Sequence, residues 1–135
     1  MKTQTPAQAD YAAVLELLET YYEGLYHTDV SKLESAFSPS ARYATIANGS
    51  LLELSLDEYL PRVAGRTSPA AEGAPFEYQV RSIRFAGAHT ALAELSCSLF
   101  GHDYTDFLSL LRIDGQWRIQ TKVFEGVPQR ATEEN

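Results

Sequence analysis

The run from Tyr104 to Phe124, YTDFLSLLRIDGQWRIQTKVF, constrains the fold more than any other stretch of this chain. Two segments rich in Leu, Ile, Val, Phe and Trp flank Asp114-Gly115. Asp-Gly is a two-residue hairpin turn signal, because both positions must reach positive φ. With those residues at the turn, Ile113 faces Gln116 and the pairing runs outward. One face of the hairpin then carries Asp106, Leu108, Leu110, Trp117, Ile119, Thr121 and Val123. The opposite face carries Phe107, Ser109, Leu111, Arg118, Gln120, Lys122 and Phe124. The first face is apolar except at its open end, where Asp106 sits. A carboxylate beside a core face is costly unless it is paired or wet. The hairpin therefore predicts a core that opens into a pocket with a polar tip. A β-bulge near the end of the second strand would bring Lys122 and Phe124 inward as well.

Helices precede this hairpin. Thr5, Pro6 and Gln8 form a helix start, with Thr5 as N-cap. Tyr11, Leu15, Leu18, Tyr22 and Leu25 recur at helical spacing, flanked by Val14, Tyr21 and Tyr26, and predict a helix to about His27. Asp29 caps a second helix, Val30 to Phe37, which Pro39 ends. Tyr43 to Ile46 and Leu51 to Leu54 flank Asn48-Gly49, another hairpin signal. Ser55 and Glu58 make a capping box for a third helix, which Pro61 should kink or shorten. The polar stretch Arg66 to Pro75 reads as a mobile flap. Strands follow at Phe76 to Phe85 and Ala91 to Phe100, and Gly101-His102-Asp103 turns into the long hairpin.

Helices followed by four antiparallel strands predict an α+β fold. Three N-terminal helices would pack on the concave face of a strongly curved antiparallel sheet, leaving a cone-shaped cavity. With 135 residues the chain fits one domain, placed at residues 5–126, with residues 127–135 a disordered tail. The net charge of −7 offers no basic stripe for nucleic acid and disfavours anionic membranes. No apolar run approaches the roughly 20 residues of a membrane span. One cysteine, Cys97, excludes an internal disulfide. With no secretory signal in sight, the expected location is the cytoplasm.

The pieces YYEGLYHTDVSKLESAFSPSARY and TDFLSLLRIDGQWRIQTKVF resemble the nuclear-transport-factor-two-like superfamily. Within it, the similarity is to the group described as putative lumazine-binding, beside the SnoaL-like polyketide cyclases. It covers about Tyr11 to Phe124. It implies the cystatin-like cone, a homodimer through the outer face of the sheet, and an internal pocket. The superfamily holds isomerases, dehydratases, cyclases, binding proteins and dimerisation modules, so fold alone does not choose among them. Ketosteroid isomerases within it pair an Asp base with an oxyanion hole of Tyr and protonated Asp. Tyr21 and Asp29 match their Tyr-to-Asp spacing. Their base position, reached from Ala41, is Thr45 here, and their second Asp falls on Ser109, three residues from Asp106. Steroid isomerisation is not expected.

Asp106 is the leading candidate for acid or base chemistry, since burial of a carboxyl group suits proton transfer. The competing reading is a surface carboxylate, or one paired with Lys122 or Arg118 across the hairpin. Tyr21 is the second catalytic candidate, as a phenol donor to a developing enolate. Tyr22, Tyr26, Phe37, Tyr43, Tyr59, Trp117 and Lys122 are the ligand-binding candidates, each of the aromatics being equally at home as core. His27, His89 and His102 are scattered without metal-ligand spacing, so neither metal nor cofactor is expected. Cys97 reads as a buried small hydrophobe. The leading expectation is a small-molecule-binding protein with an apolar, tyrosine-lined pocket. The alternatives are a cofactor-independent isomerase, cyclase or dehydratase using Asp106, and a dimerisation module whose cavity is filled.

Overall fold

The computed structural model describes residues 5–129. Thr5 caps α1 (Pro6–His27) through a capping box with Gln8. Asp29 caps α2 (Val30–Ala36), accepting from the Lys32 amide at 3.1 Å. Strands β1 (Phe37–Ala47) and β2 (Ser50–Ser55) meet at Asn48-Gly49, where φ is 52° and 79°. Ser55 and Glu58 form the second capping box, opening α3 (Leu56–Ala64). Pro61 stays inside that helix, which ends three residues later. After residues 65–77 come β3 (Tyr78–Phe85), β4 (Thr90–Leu99), β5 (His102–Ile113) and β6 (Gln116–Pro128). The β5–β6 turn is Asp114-Gly115, with φ of 51° and 79°, as the hairpin reading requires.

One sheet orders the strands β2-β1-β6-β5-β4-β3. The helices cover one face, so the architecture is the α+β cone. Two corrections follow. The sheet is not wholly antiparallel: β1 runs parallel to β6. Phe37 to Pro39 is also strand rather than helix end. Its register against β6 jumps between Phe37 and Arg42, so Pro39, which has no N–H to give, lies where the ladder is interrupted.

Helix α1 buries Val14, Leu17, Leu18, Tyr21, Tyr22 and Leu25. Tyr11, expected in the apolar stripe, is exposed, so the buried face is rotated toward Val14, Leu17 and Tyr21. Gly24 allows α2 to approach: a Cβ there would lie 2.7 Å from Leu33 Cγ. Strand β6 reaches Pro128, past the boundary placed at residue 126; of the expected tail, residues 130–135 lie outside the described residues.

Candidate functional site

The site is made by a bulge. Along β5 and β6, Arg112 opposes Trp117 and Leu110 opposes Ile119, but Ser109 opposes Thr121, leaving Gln120 as the extra residue. An extra residue reverses which side chains point inward. Before the bulge Trp117 and Ile119 are buried; beyond it Lys122 is buried and Val123 is exposed. The expectation that Thr121 and Val123 line the inner face is therefore corrected, and Lys122 and Phe124 take their place. The Gln120 side chain donates to the Ser40 hydroxyl at 3.1 Å, in the irregular part of β1, so the two interruptions meet.

Asp106 is 3% exposed, and its Oδ2 accepts a hydrogen bond from the Tyr21 hydroxyl at 2.6 Å. Tyr21 is fully buried. Burial first, and then the charge of Asp106, raise its pKa well above the ordinary tyrosine value, so it remains a proton donor. Lys122 is 6% exposed. Its Nζ stands 4.7 Å from the Phe124 ring centroid, 5.3 Å from Tyr21, 5.5 Å from Tyr43 and 5.8 Å from Tyr59. Those are cation–π distances. Burial pushes the Lys122 pKa down, but the facing Tyr59, Asp106 and Tyr43 outweigh it and hold it above the ordinary lysine value.

Asp106 and Lys122 form the floor of a cavity of about 440 Å³. Tyr43, Tyr104 and Phe124 supply aromatic wall, with Leu25, Cys97 and Leu99 beside them. Arg66, Thr67 and Glu72 reach the same cavity from the loop after α3, Phe100 from the β4–β5 turn and His102 from the start of β5. The Arg66 guanidinium lies 5.7 Å from the Phe100 ring centroid.

Of the catalytic and ligand-binding candidates, Asp106, Tyr43 and Lys122 line this cavity, and Tyr21 stands behind it holding Asp106. Phe37 and Tyr59 form a supporting layer. Phe37 meets the Tyr21 ring at 5.9 Å and 72°, and Tyr59 stacks on Tyr43 at 4.6 Å. The Tyr59 hydroxyl is buried without a hydrogen-bond partner among the described residues. Tyr22 and Tyr26 belong elsewhere, in a cluster with Phe76 and Tyr78. There the Tyr26 hydroxyl donates to the Ala74 carbonyl and ties down the loop read as a flap.

Trp117 is also away from the cavity. It pairs with Arg112, six positions along β5 from Asp106, or about 20 Å of strand. It packs on Phe85 and donates to Asp10 Oδ1 at 3.4 Å.

Tyr104 joins the wall by the same alternation that turns Asp106 inward, a signal present in the sequence. Gly126 opposes it, and a methyl group there would overlap the Tyr104 ring. The Cys97 thiol, pushed up to about 12 chiefly by burial, has no thiolate to offer near neutral pH.

These protonation preferences have a measurable consequence. Tyr21, Tyr22, Tyr43, Cys97 and Lys122 all hold their protons more tightly in the folded chain than in the unfolded one, Tyr22 being pushed up to about 12. The stability this contributes is complete below the unfolded values and is lost as pH rises through the folded ones. Urea unfolding should give constant stability from pH 7 to 8.5 and a fall of about 2 kcal/mol or more by pH 11. Cys97→Ala should flatten the first part of that fall. A flat profile to pH 11 would contradict the burial of these groups.

A family model described as putative lumazine-binding matches residues 9–125. An NTF2-like protein of unknown function from Silicibacter pomeroyi is 26% identical, with a TM-score of 0.75 over 92% of this chain and 100% of that one. Another from Shewanella baltica is 24% identical, with a TM-score of 0.81 over 94% and 100%. A cystatin-like fold protein from Burkholderia xenovorans, 12% identical, superposes with a TM-score of 0.64 over 88% of this chain and 92% of that one. The aldolase FrzH of Cladobotryum is 52% identical over 27 residues, which span 20% of this chain and 22% of that protein. No helix among the described residues is long and apolar enough to cross a membrane.

Proposed function

The chain belongs to the putative lumazine-binding family, with the nuclear-transport-factor-two-like cone, and we propose that it binds a small aromatic or apolar molecule without a cofactor. The observation that carries this reading is the cavity of about 440 Å³ with aromatic walls and a charged floor. Ligand sites are commonly concave, mostly apolar, and given orientation by a few placed polar groups. Lumazine is the first ligand to titrate, because the family carries its name. Leu99→Trp, which puts a large side chain into the cavity, should abolish heat of binding while leaving the circular dichroism spectrum unchanged. A saturable lumazine signal that survives Leu99→Trp would place binding elsewhere. No signal in the parent protein would count against the binding reading.

A second reading is a cofactor-independent isomerase, cyclase or dehydratase. Asp106 would move the proton, and Tyr21, whose hydroxyl is engaged by Asp106, would position it. Lys122 is then the group placed to face a developing oxyanion. The short stretch shared with an aldolase favours testing carbonyl substrates. Asp106→Asn should abolish turnover while leaving the circular dichroism spectrum unchanged.

The third possibility, a dimerisation module with a filled cavity, is disfavoured by the open chamber. Dimerisation itself belongs to the proposal. The outer sheet face exposes Ile46, Leu51, Phe107, Val123 and Val127, several of them around one apolar groove. A homodimer through this face would cover them. Phe107→Glu is expected to convert a dimer into a monomer by sedimentation at micromolar concentration. A parent protein that sediments as a monomer would rule the dimer out. The cytoplasmic setting goes with this reading.

A further inference from the structure

The two charged residues on the cavity floor constrain the ligand more narrowly, given the small-molecule reading above. Across the β5–β6 pair, Asp106 opposes Phe124 and Leu108 opposes Lys122. Asp106 and Lys122 are thus diagonal neighbours on the inner face, near enough for long side chains to meet. They do not meet: no ion pair forms between them, so the ammonium and the carboxylate stand more than 4.0 Å apart. Each keeps unused bonding capacity. Asp106 Oδ2 takes the Tyr21 hydroxyl, and Oδ1 has no donor among the described residues. Lys122 Nζ has ring faces around it but no hydrogen-bond acceptor among those residues. An ammonium has three directed donors, and aromatic faces stabilise its charge without giving those donors lone pairs. Both atoms open onto the cavity rather than being sealed, as the Tyr22 and Tyr59 hydroxyls are among the described residues, so a ligand gains by matching them in place of water.

The floor therefore offers one acceptor and one donor side by side, beneath Tyr43, Tyr104 and Phe124. A simple anion would satisfy Lys122 but be repelled by Asp106. A cation would meet the reverse conflict. A net-neutral edge carrying both a donor and an acceptor meets neither. We propose that the cavity selects a planar conjugated ligand with an N–H and a carbonyl on adjacent ring atoms, as in a lactam or cyclic imide. The carbonyl accepts from Lys122 and the N–H donates to Asp106 Oδ1. A site built to bond a donor rejects the analogue that lacks it, because its own buried group is then left unmet.

Three probes test this by titration calorimetry at neutral pH: 2-quinolone, with both groups; 1-methyl-2-quinolone, with the carbonyl only; and 2-naphthoate, an anion of similar size. The expected result is that 2-quinolone binds at least tenfold more tightly than either of the others. In Lys122→Met, of similar length but uncharged, its affinity should fall at least tenfold. In Asp106→Asn, the ratio between the two quinolones should shrink to within about threefold, since the charged acceptor is gone. A circular dichroism spectrum of each variant checks its fold. Equal binding of all three probes, or tightest binding of 2-naphthoate, would overturn the inference and leave the small-molecule reading standing. An unchanged ratio in Asp106→Asn would assign the methyl penalty to shape and also overturn it. Failure of all three probes to bind would overturn it too, and the lumazine titration would then decide the broader reading separately.

Discussion

Asp106→Ala is expected to destabilise the fold by about 3 kcal/mol, measured by urea unfolding at pH 7. Two buried groups lose their complement at once. The Tyr21 hydroxyl, fully buried, loses the acceptor it holds at 2.6 Å. The Lys122 ammonium loses the carboxylate that lies diagonal to it across the β5–β6 pair and helps hold its proton. Removing one member of a buried charged set leaves the other uncompensated, which typically costs about 3–5 kcal/mol. Direct ion pairing is absent here, so the lower end of that range applies. Asp106→Asn should cost less than half as much, because its amide oxygen still accepts from Tyr21. The double variant Asp106→Ala, Lys122→Met should recover about 1 kcal/mol or more relative to the sum of the single changes, since the two sites share one environment. Additive effects would mean that the two side chains do not sense each other.

Trp117→Ala is expected to cost about 3–5 kcal/mol, the range for emptying the site of a large buried aromatic. The ring is 6% exposed, packs edge-on against Phe85 at 5.7 Å and donates to Asp10. It sits at the closed end of the hairpin, away from the cavity. Ligand affinity per folded molecule should therefore be unchanged, which separates this residue from the floor and walls of the chamber. A loss of affinity without loss of stability would return Trp117 to the ligand site.

Where local chemistry decides local structure, the sequence was legible. Asp114-Gly115 and Asn48-Gly49 turn because their residues accept positive φ, and Thr5 and Ser55 start helices because each has its capping partner three residues on. The parallel pairing of β1 with β6 was not legible, since it joins strands far apart in the chain and leaves no turn signal between them. Pro39 misled for a related reason: it reads as a helix stop, but an interrupted ladder tolerates it within a strand. In the site, period-two alternation gave Asp106, and the bulge admitted as an option gave Lys122 and Phe124. The rotation of α1 about its axis was harder. Tyr21, Tyr22 and Tyr26 all lie near one stripe, and only packing decides which faces the strand carboxylate. Arg66 and Leu99 carried no signal of their own, because loop conformation and strand neighbours place them at the cavity.

A crystal of the full chain soaked with 2-quinolone tests the chamber most directly. The expected result is the bicyclic ring lying among Tyr43, Tyr104 and Phe124, with its carbonyl within hydrogen-bond distance of Lys122 Nζ and its N–H on Asp106. A ring seated instead in the groove of Phe107 and Val123 on the outer face, with the chamber between α1 and β5 closed by side chains, would contradict it.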